Sequence, residues 1–372
     1  MKADMWWLVY IYGGVLSYQI LHNIYFYLRL SLRKNHAAAI NPDLPVSVIV
    51  CARNEEENLK ALIPLLLEQD YPDFEVIIVD DNSEDGTVEY LYHLTAEDTR
   101  VRSVKVGNVN KPMAGKKFPL TLGIKAAKHP HLLLTDADCR PASRNWIAEM
   151  MNGYAQQADY VLGYSPYAKH KGWLNRIIRY ETFFAGQNYL SYALAGIPYM
   201  GVGRNLSYTS ALFFQHGGFA DHRTLPSGDD DLFINKVAGK SKSAVVTSRD
   251  SFMISAPKTT SEDWKEQKTR HLSTARYYKA NHRILLALQP FTHILVWLML
   301  PLVIWLSPLV WWYIAAAFLL RWIVNRIVFT LNMRKLGEND LVPYIELFDI
   351  LQVFYYFRFM KAAVVKTKYR WN

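Results

Sequence analysis

Charge is missing from two long stretches of this chain: residues 5–28 and 284–320 contain no Asp, Glu, Lys or Arg. Cysteine is nearly absent. Cys51 and Cys139 are the two present, which excludes a disulfide framework and a thiolate metal cage and suggests a reducing compartment. No internal repeat, low-complexity tract or nucleic-acid-binding motif accompanies the net charge of +9, so nucleic acid is a poor partner for it. His216, His222 and His282 show no metal-ligand spacing and read as structural. No Ser-His-Asp or Cys-His set is evident.

The uncharged runs are long enough to matter. A bilayer core about 30 Å thick takes about 20 apolar residues per helix. The first run outlasts the apolar part of a secretory signal, and no small-x-small cleavage pattern follows it. Arg29, Arg33 and Lys34 come next, as at the cytoplasmic end of an anchor. The second run divides at Ser307-Pro308 into a hairpin of two spans, with Arg321, Arg326, Arg334 and Lys335 at its far end. A third apolar stretch, 345–365, is broken by Glu346, Asp349, Arg358 and Lys361 and suits an interfacial helix on the cytoplasmic face. From Arg321 onward there are nine Lys or Arg against four Asp or Glu, a bias that fits anionic lipid headgroups. The expected organisation is an anchor at 1–30, a cytoplasmic domain at 31–283, a transmembrane hairpin at 284–330 and a membrane-associated segment at 331–372.

Between the runs, composition becomes ordinary. Residues 45–51 form a β-rich run, and 55–69 carry apolar residues at helical spacing. Residues 74–79, 101–106 and 131–135 predict further strands, with helices from about 87 and over 116–128. Alternating strands and helices predict an α/β domain with a doubly wound, mostly parallel sheet. Such sheets bind ligands beyond the carboxyl ends of their strands.

Acidic residues collect at those ends. Asp136-Ala137-Asp138 closes one strand, where two carboxylates can hold a hard divalent cation on a diphosphate; a plain turn is the simpler reading of that pattern alone. Asp80-Asp81 closes another strand, where one carboxylate can meet a base or ribose and its neighbour can cap a helix. Ser227-Gly228-Asp229-Asp230-Asp231-Leu232 sets three carboxylates before an apolar helix. It reads as a dipole-favoured helix start or as a general base above the donor. Residues 173–199, rich in Tyr and Phe, suit amphipathic helices along the membrane surface or core packing.

The ordered set resembles the family-2 glycosyltransferases of the GT-A fold over nearly the whole soluble segment. The matching pieces are Val46-Ser47-Val48-Ile49-Val50-Cys51-Ala52-Arg53-Asn54-Glu55-Glu56, then Val79-Asp80-Asp81-Asn82-Ser83, then Gly115-Lys116. Asp136-x-Asp138 and Gly201-Val202-Gly203-Arg204-Asn205-Leu206 complete it. The resemblance implies that Asp81 contacts the uracil or ribose and that Cys51, Ala52, Arg53, Asn54 and Lys116 line the nucleotide pocket. It further implies that Asp136 meets the ribose or donor sugar and that Asp138, with Asp136, ligates Mg²⁺ or Mn²⁺. Gly203 and Asn205 fall on the acceptor side. Asp229 or Asp230 supplies the base, with spacing to Leu232 favouring Asp229.

Residues 261–280 predict a helix capped by Ser261, on which Gln267, Arg270, His271 and Thr274 share one face. This is similar to the Q-x-x-R-W motif of membrane-embedded polysaccharide synthases, with His271 where Trp is usual. Gln267 and Arg270 are then donor-side groups and His271 an acceptor-side one. A solvated polar face is the plainer alternative. The implied function is inverting, metal-dependent transfer from a nucleotide diphosphate sugar, UDP-sugar foremost, to a lipid-linked or membrane-proximal glycan acceptor. A processive polysaccharide synthase and an inactive nucleotide-sugar-binding scaffold are the alternatives.

Overall fold

A computed structural model describes residues 6–34, 44–107, 110–306 and 311–364. The Ser307-Pro308 division and the basic residues after 364 lie outside the described residues.

Strands β1 (Val46–Ala52), β2 (Phe74–Asp80), β3 (Val101–Lys105) and β4 (His131–Asp136) form the parallel half of a seven-stranded sheet. The other strands are β5 (Cys139–Pro141), β6 (Tyr160–Leu162), β7 (Leu206–Thr209), β8 (Ser243–Val245) and β9 (Met253–Ser255). Their order is β3-β2-β1-β4-β7-β6-β8, and β5 pairs with β9 in a separate ribbon. The sheet departs from all-parallel at β7, which runs antiparallel to both β4 and β6.

Alternation along each strand divides the core. Ile49, Ile77 and Val79 pack on one face with Leu120 and Ile124 of α5 (Lys117–Ala126). Val48, Val50, Val76 and Ile78 pack on the other with α3 (Glu56–Leu67) and α6 (Trp146–Asn152). Helix α4 (Thr87–Glu97) adds Leu91 to that second face. Register then decides where the chemistry sits. Ala52 is opposite Asp80 and Cys51 is opposite Asp136, so the strand ends β1, β2 and β4 stop at one level.

Helix α7 (Trp173–Leu194) is a single helix largely buried in the domain, not a set of surface helices. Two short helices follow, α8 (Ser210–Gln215) and α9 (Asp231–Val237). Helix α10 (Ser261–Leu272) corrects the predicted helix over 261–280 at both ends. Thr260, not Ser261, is the cap, its Oγ1 accepting from Asp263 N at 3.2 Å. The helix stops at Leu272 because Ser273 Oγ and Thr274 Oγ1 donate back to the carbonyls of Arg270 and His271, at 2.7 and 2.8 Å.

Helices α11 (Ala280–Leu306) and α12 (Trp311–Lys335) each contain an 18-residue window of mean hydropathy 1.7 and are long and apolar enough to cross a membrane. Against them lies the N-terminal run α1 (Trp6–His22), a π-helical turn (Asn23–Tyr27) and α2 (Leu28–Leu32). Leu8, Tyr12 and Leu16 meet Val296, Val303 and Ile314 there. Helix α13 (Ile345–Val364) packs chiefly against α10 and α11 and touches α7 at Tyr180 and Glu181. Phe348 stacks on Tyr180 with ring centroids 4.1 Å apart, Tyr355 OH donates to Glu181 Oε1 at 3.2 Å, and Phe359 meets Trp264 edge-on at 5.7 Å.

Candidate active site

One cavity of about 1170 Å³ opens above the level strand ends. Cys51, Ala52 and Arg53 line it from the end of β1, Asp81 from β2, Asp136 and Asp138 from β4 and its turn, and Lys116 from the start of α5. Gly203, Asp229, Asp230, Gln267, Arg270 and His271 line the facing wall. Residues drawn from some 220 positions of chain therefore share one cleft.

Two residues expected there lie elsewhere. Asn205 is fully buried behind the wall: it accepts from Trp146 Nε1 at 3.0 Å and donates to the carbonyls of Tyr164 and Ser251, both at 2.8 Å. It staples the core and does not line the cavity. Asn54 is exposed in a left-handed backbone conformation (φ 55°). Its Oδ1 accepts from Glu84 N at 2.8 Å and its own N–H donates to Ser83 Oγ at 2.9 Å, joining the turns after β1 and β2.

The electrostatics follow from burial. Lys116 pairs with Asp136. Burial opposes ionisation of Asp136, but Lys116 outweighs it, helped by Arg204 and Arg270, and holds this carboxyl below its ordinary range. Asp138 is pushed up, by burial first and then by the Asp136 charge. Two carboxylates that repel in a half-buried turn, with oxygen atoms alone to offer, are suited to a hard divalent cation. Among the described residues no three His, Cys, Asp or Glu side chains converge to hold one by themselves, so such an ion would draw further ligands from a bound diphosphate. Burial pushes the Cys51 thiol up to about 12, which removes it as a nucleophile.

The acidic run before α9 divides its duties. Asp231 is buried and accepts from Tyr278 OH at 2.7 Å and from Thr274 Oγ1. Asp230 caps α9 and accepts from Gly203 N. No hydrogen bond among the described residues holds the Asp229 carboxylate, which faces the cavity. The loop carrying it is fixed from below: the fully buried Lys117 donates to the carbonyls of Leu225 and Ser227 at 2.7 and 2.6 Å. Gly115, at φ +63°, lies where a Cβ would stand 2.1 Å from the Pro226 carbonyl oxygen.

Sequence reasoning missed Lys117, Arg204, Glu181 and Lys268. Arg204 lies with its guanidinium 4.6 Å over the Tyr167 ring, and its Nη1 is buried without a hydrogen-bond partner. Its place beside Gly203 was the available signal. Glu181 and Lys268 pair across the cavity from α7 and α10; helix periodicity could not bring those two helices together.

A doubly wound sheet with an acidic cleft at its carboxyl edge defines a GT-A-type α/β domain. Residues 47–213 match glycosyl transferase family 2, and the chain carries a family 2 glycosyltransferase domain of that fold. Relatives include an uncharacterized glycosyltransferase from Haemophilus influenzae, 28% identical over 39% of this chain and 41% of that one. A 4,4'-diaponeurosporenoate glycosyltransferase from Staphylococcus haemolyticus is 30% identical over 33% of this chain and 34% of its own length. The matches thus span less than half the length of these relatives. Among solved structures, a mannosyltransferase from Pyrobaculum calidifontis in complex with GDP-Man and Mn2+ shares the fold, with a TM-score of 0.54 and 18% identity, over 92% of this chain and 99% of that one.

Proposed function

We propose that this chain is an inverting glycosyltransferase that moves a sugar from a nucleotide diphosphate donor, UDP-sugar foremost, to a hydroxyl presented at a membrane surface. The observation that carries the reading is the convergence of Asp81, Asp136, Asp138, Asp229 and Arg270 on one cleft. Asp81 receives the base or ribose: its Oδ2 is buried without a partner, while Lys111 pairs with the carboxylate's other oxygen. Arg53 and Lys116 flank the nucleotide, and Asp136 meets the ribose or sugar. Asp138 and Asp136 would hold Mg²⁺ or Mn²⁺, which supplies positive charge to the diphosphate as it departs. Arg270 and Gln267 face that diphosphate from α10, since a guanidinium matches phosphate geometry.

Asp229 takes the proton of the acceptor hydroxyl as its oxygen attacks the anomeric carbon from the side opposite the diphosphate. One in-line displacement inverts that centre. Gly203 and His271 border the acceptor. The runs α1–α2, α11 and α12 anchor the domain in the membrane with its cleft on the cytoplasmic side, and α13 is an interfacial helix. Its contacts with Tyr180, Glu181 and Trp264 keep it along the domain instead of leading away. Anionic lipid headgroups are the expected surface partner.

The test uses full-length protein in detergent with UDP-glucose, UDP-GlcNAc and GDP-mannose. One donor should raise the melting temperature in the presence of Mn²⁺ or Mg²⁺, and its labelled sugar should enter a lipid extract unless EDTA is added. No stabilisation by any of these donors, or transfer indifferent to EDTA, overturns the reading.

A further inference from the structure

The cavity is larger than one donor requires. Single-ligand pockets run to roughly 300–1000 Å³, whereas this one is about 1170 Å³ and continues beyond Asp229. Three helix faces wall the extension. From α11 come Arg283, Leu286, Ala287, Pro290, Phe291 and Ile294, at i, i+3, i+4, i+7, i+8 and i+11. From α13 come Gln352, Tyr355, Tyr356, Phe359 and Met360, again one face. From α7 come Glu181, Ala185, Asn188, Tyr189 and Tyr192.

This extension has a direction. Arg276 and Arg283 stand where it leaves the donor cleft, and Arg276 Nε is buried without a hydrogen-bond partner. Beyond them the lining turns apolar and aromatic. Phe291 of α11 and Met360 of α13 both line the cavity and are 57% and 59% exposed, so the cavity is open to solvent-accessible space beside these two helices. The surface there is the apolar belt of the helices. Phe291 is seven residues above Ile284, the belt's first exposed residue on α11, or about 10 Å along the helix. That places the opening inside the belt, at about the depth to which interfacial amphipathic helices sink their apolar faces, roughly 5–10 Å into the headgroup–acyl boundary. Pro290 lacks the N–H that would bond back to Leu286, which loosens α11 at this level. Tyr356 OH, donating to Gln289 Oε1 at 2.9 Å, closes the gap from one side.

We infer that this chamber is the acceptor subsite for an amphiphile whose apolar tail joins its hydroxyl-bearing head through a phosphate group. The inference rests on the glycosyltransferase reading above. The tail enters sideways from the bilayer past Phe291 and Met360. The phosphate lies against Arg276 and Arg283, and the head hydroxyl reaches Asp229. A purely apolar alcohol leaves both arginines without a counter-charge, and a soluble glycan leaves the aromatic chamber unfilled. A glycerophospholipid and a lipid-phosphate-linked sugar share this chemistry.

The test uses full-length protein in nanodiscs and a hexadecyl phosphate bearing a diazirine in its chain. Photolabelling should concentrate on peptides containing Phe291 and Met360. It should be competed by phosphatidylglycerol or by a hexadecyl-phosphate-linked sugar, whichever source is native, and not by hexadecanol or glycerol phosphate. Arg276→Gln with Arg283→Gln should cut that labelling at least tenfold, while labelling around Trp305, an exposed belt residue away from the chamber, stays constant. Uniform labelling over the belt, or equal competition by hexadecanol, overturns the inference. Donor-induced thermal stabilisation in the same samples separates the two readings. If it persists while the labelling pattern fails, the acceptor subsite falls and the donor site stands; if it is absent, the glycosyltransferase reading falls with it.

Discussion

Gly203 donates its backbone N–H to Asp230 Oδ2 at 2.7 Å, and the other oxygen of that carboxylate accepts from Asp231 N, also at 2.7 Å. Both oxygens of Asp230 are thus committed to the backbone, and a Cβ on Gly203 would stand 3.3 Å from one of them. Asp229, one residue earlier, faces the cavity. Asp229→Asn should therefore lower kcat by about 10²–10⁴-fold, the usual worth of a general base, with donor affinity kept. Asp230→Asn should give a smaller loss through displacement of the loop. Steady-state assays of both variants decide the matter, and equal mild losses would leave the base unassigned.

The same run sets a pH dependence. Burial, then the neighbouring Asp229 and Asp231 charges, push the Asp230 carboxyl up to about 7. An unfolded Asp loses its proton near 3.9, so between there and about 7 the folded chain holds a proton that the unfolded chain has released. Stability should fall as pH rises through that window and level off above it. Over the same rise kcat/KM should climb, because ionised Asp230 accepts more strongly from the N–H groups of Gly203 and Asp231, which hold the loop carrying Asp229. Asp230→Asn removes one charge, which should move the acidic limb of the kcat/KM profile downward and flatten the stability slope. An unmoved limb would show that another group controls it.

Asp138→Ala tests the cation site. Its carboxylate, held up by burial and by Asp136, should lose the charge that draws a divalent ion. Transfer should drop by at least about 10²-fold, as when one preorganised electrostatic group is removed, and Mn²⁺ should no longer add to donor-induced thermal stabilisation. The chain should still fractionate with membranes. Wild-type activity in EDTA-treated samples would remove Asp138 from the metal assignment.

The strand ends that build this cleft were legible because β1, β2 and β4 are short apolar runs closed by Asp or Arg-Asn turns, a local signal. What escaped was non-local. β7 joins β4 from 70 residues downstream, antiparallel, and no periodicity names a strand's partner. Asn205 belongs to a motif that borders the cleft, yet its neighbours Gly203 and Arg204 line the cavity while its own side chain turns into the core. The charges of α13 look individually like obstacles in an apolar helix. In the fold Glu346 meets Arg326 at 2.8 Å and Asp349 meets Arg321. A sequence displays each charge but not its counter-charge.

Lys117 illustrates the consequence for positioning. Its ammonium is buried, which pulls its proton affinity down, and its two carbonyl partners belong to the loop that carries Asp229. Lys117→Met keeps the volume and strands both carbonyls, costing about 1–3 kcal/mol for each group left unsatisfied. The expected result is a lower melting temperature with kcat reduced more than the donor KM, because the base loses its place while the nucleotide pocket is intact. A variant with normal kcat would mean that the loop is held by other contacts.

Arg321 and Asp349 tie α12 to α13 by two hydrogen bonds of 2.6 and 2.9 Å, and Arg321 also lies 3.2 Å from His293 Nδ1 on α11. Both charges are buried. Removing one leaves the other uncompensated, which typically costs about 3–5 kcal/mol, whereas replacing both by apolar groups is often neutral. Arg321→Leu and Asp349→Leu should therefore each destabilise the detergent-solubilised protein, and the double variant should recover most of the loss. If recovery extends to melting temperature but not to turnover, the pair's contribution is to set α13 against the cavity, since Gln352, Tyr355 and Tyr356 on that helix line it. A double variant whose destabilisation equals the sum of the two single losses would show that the two charges are not coupled.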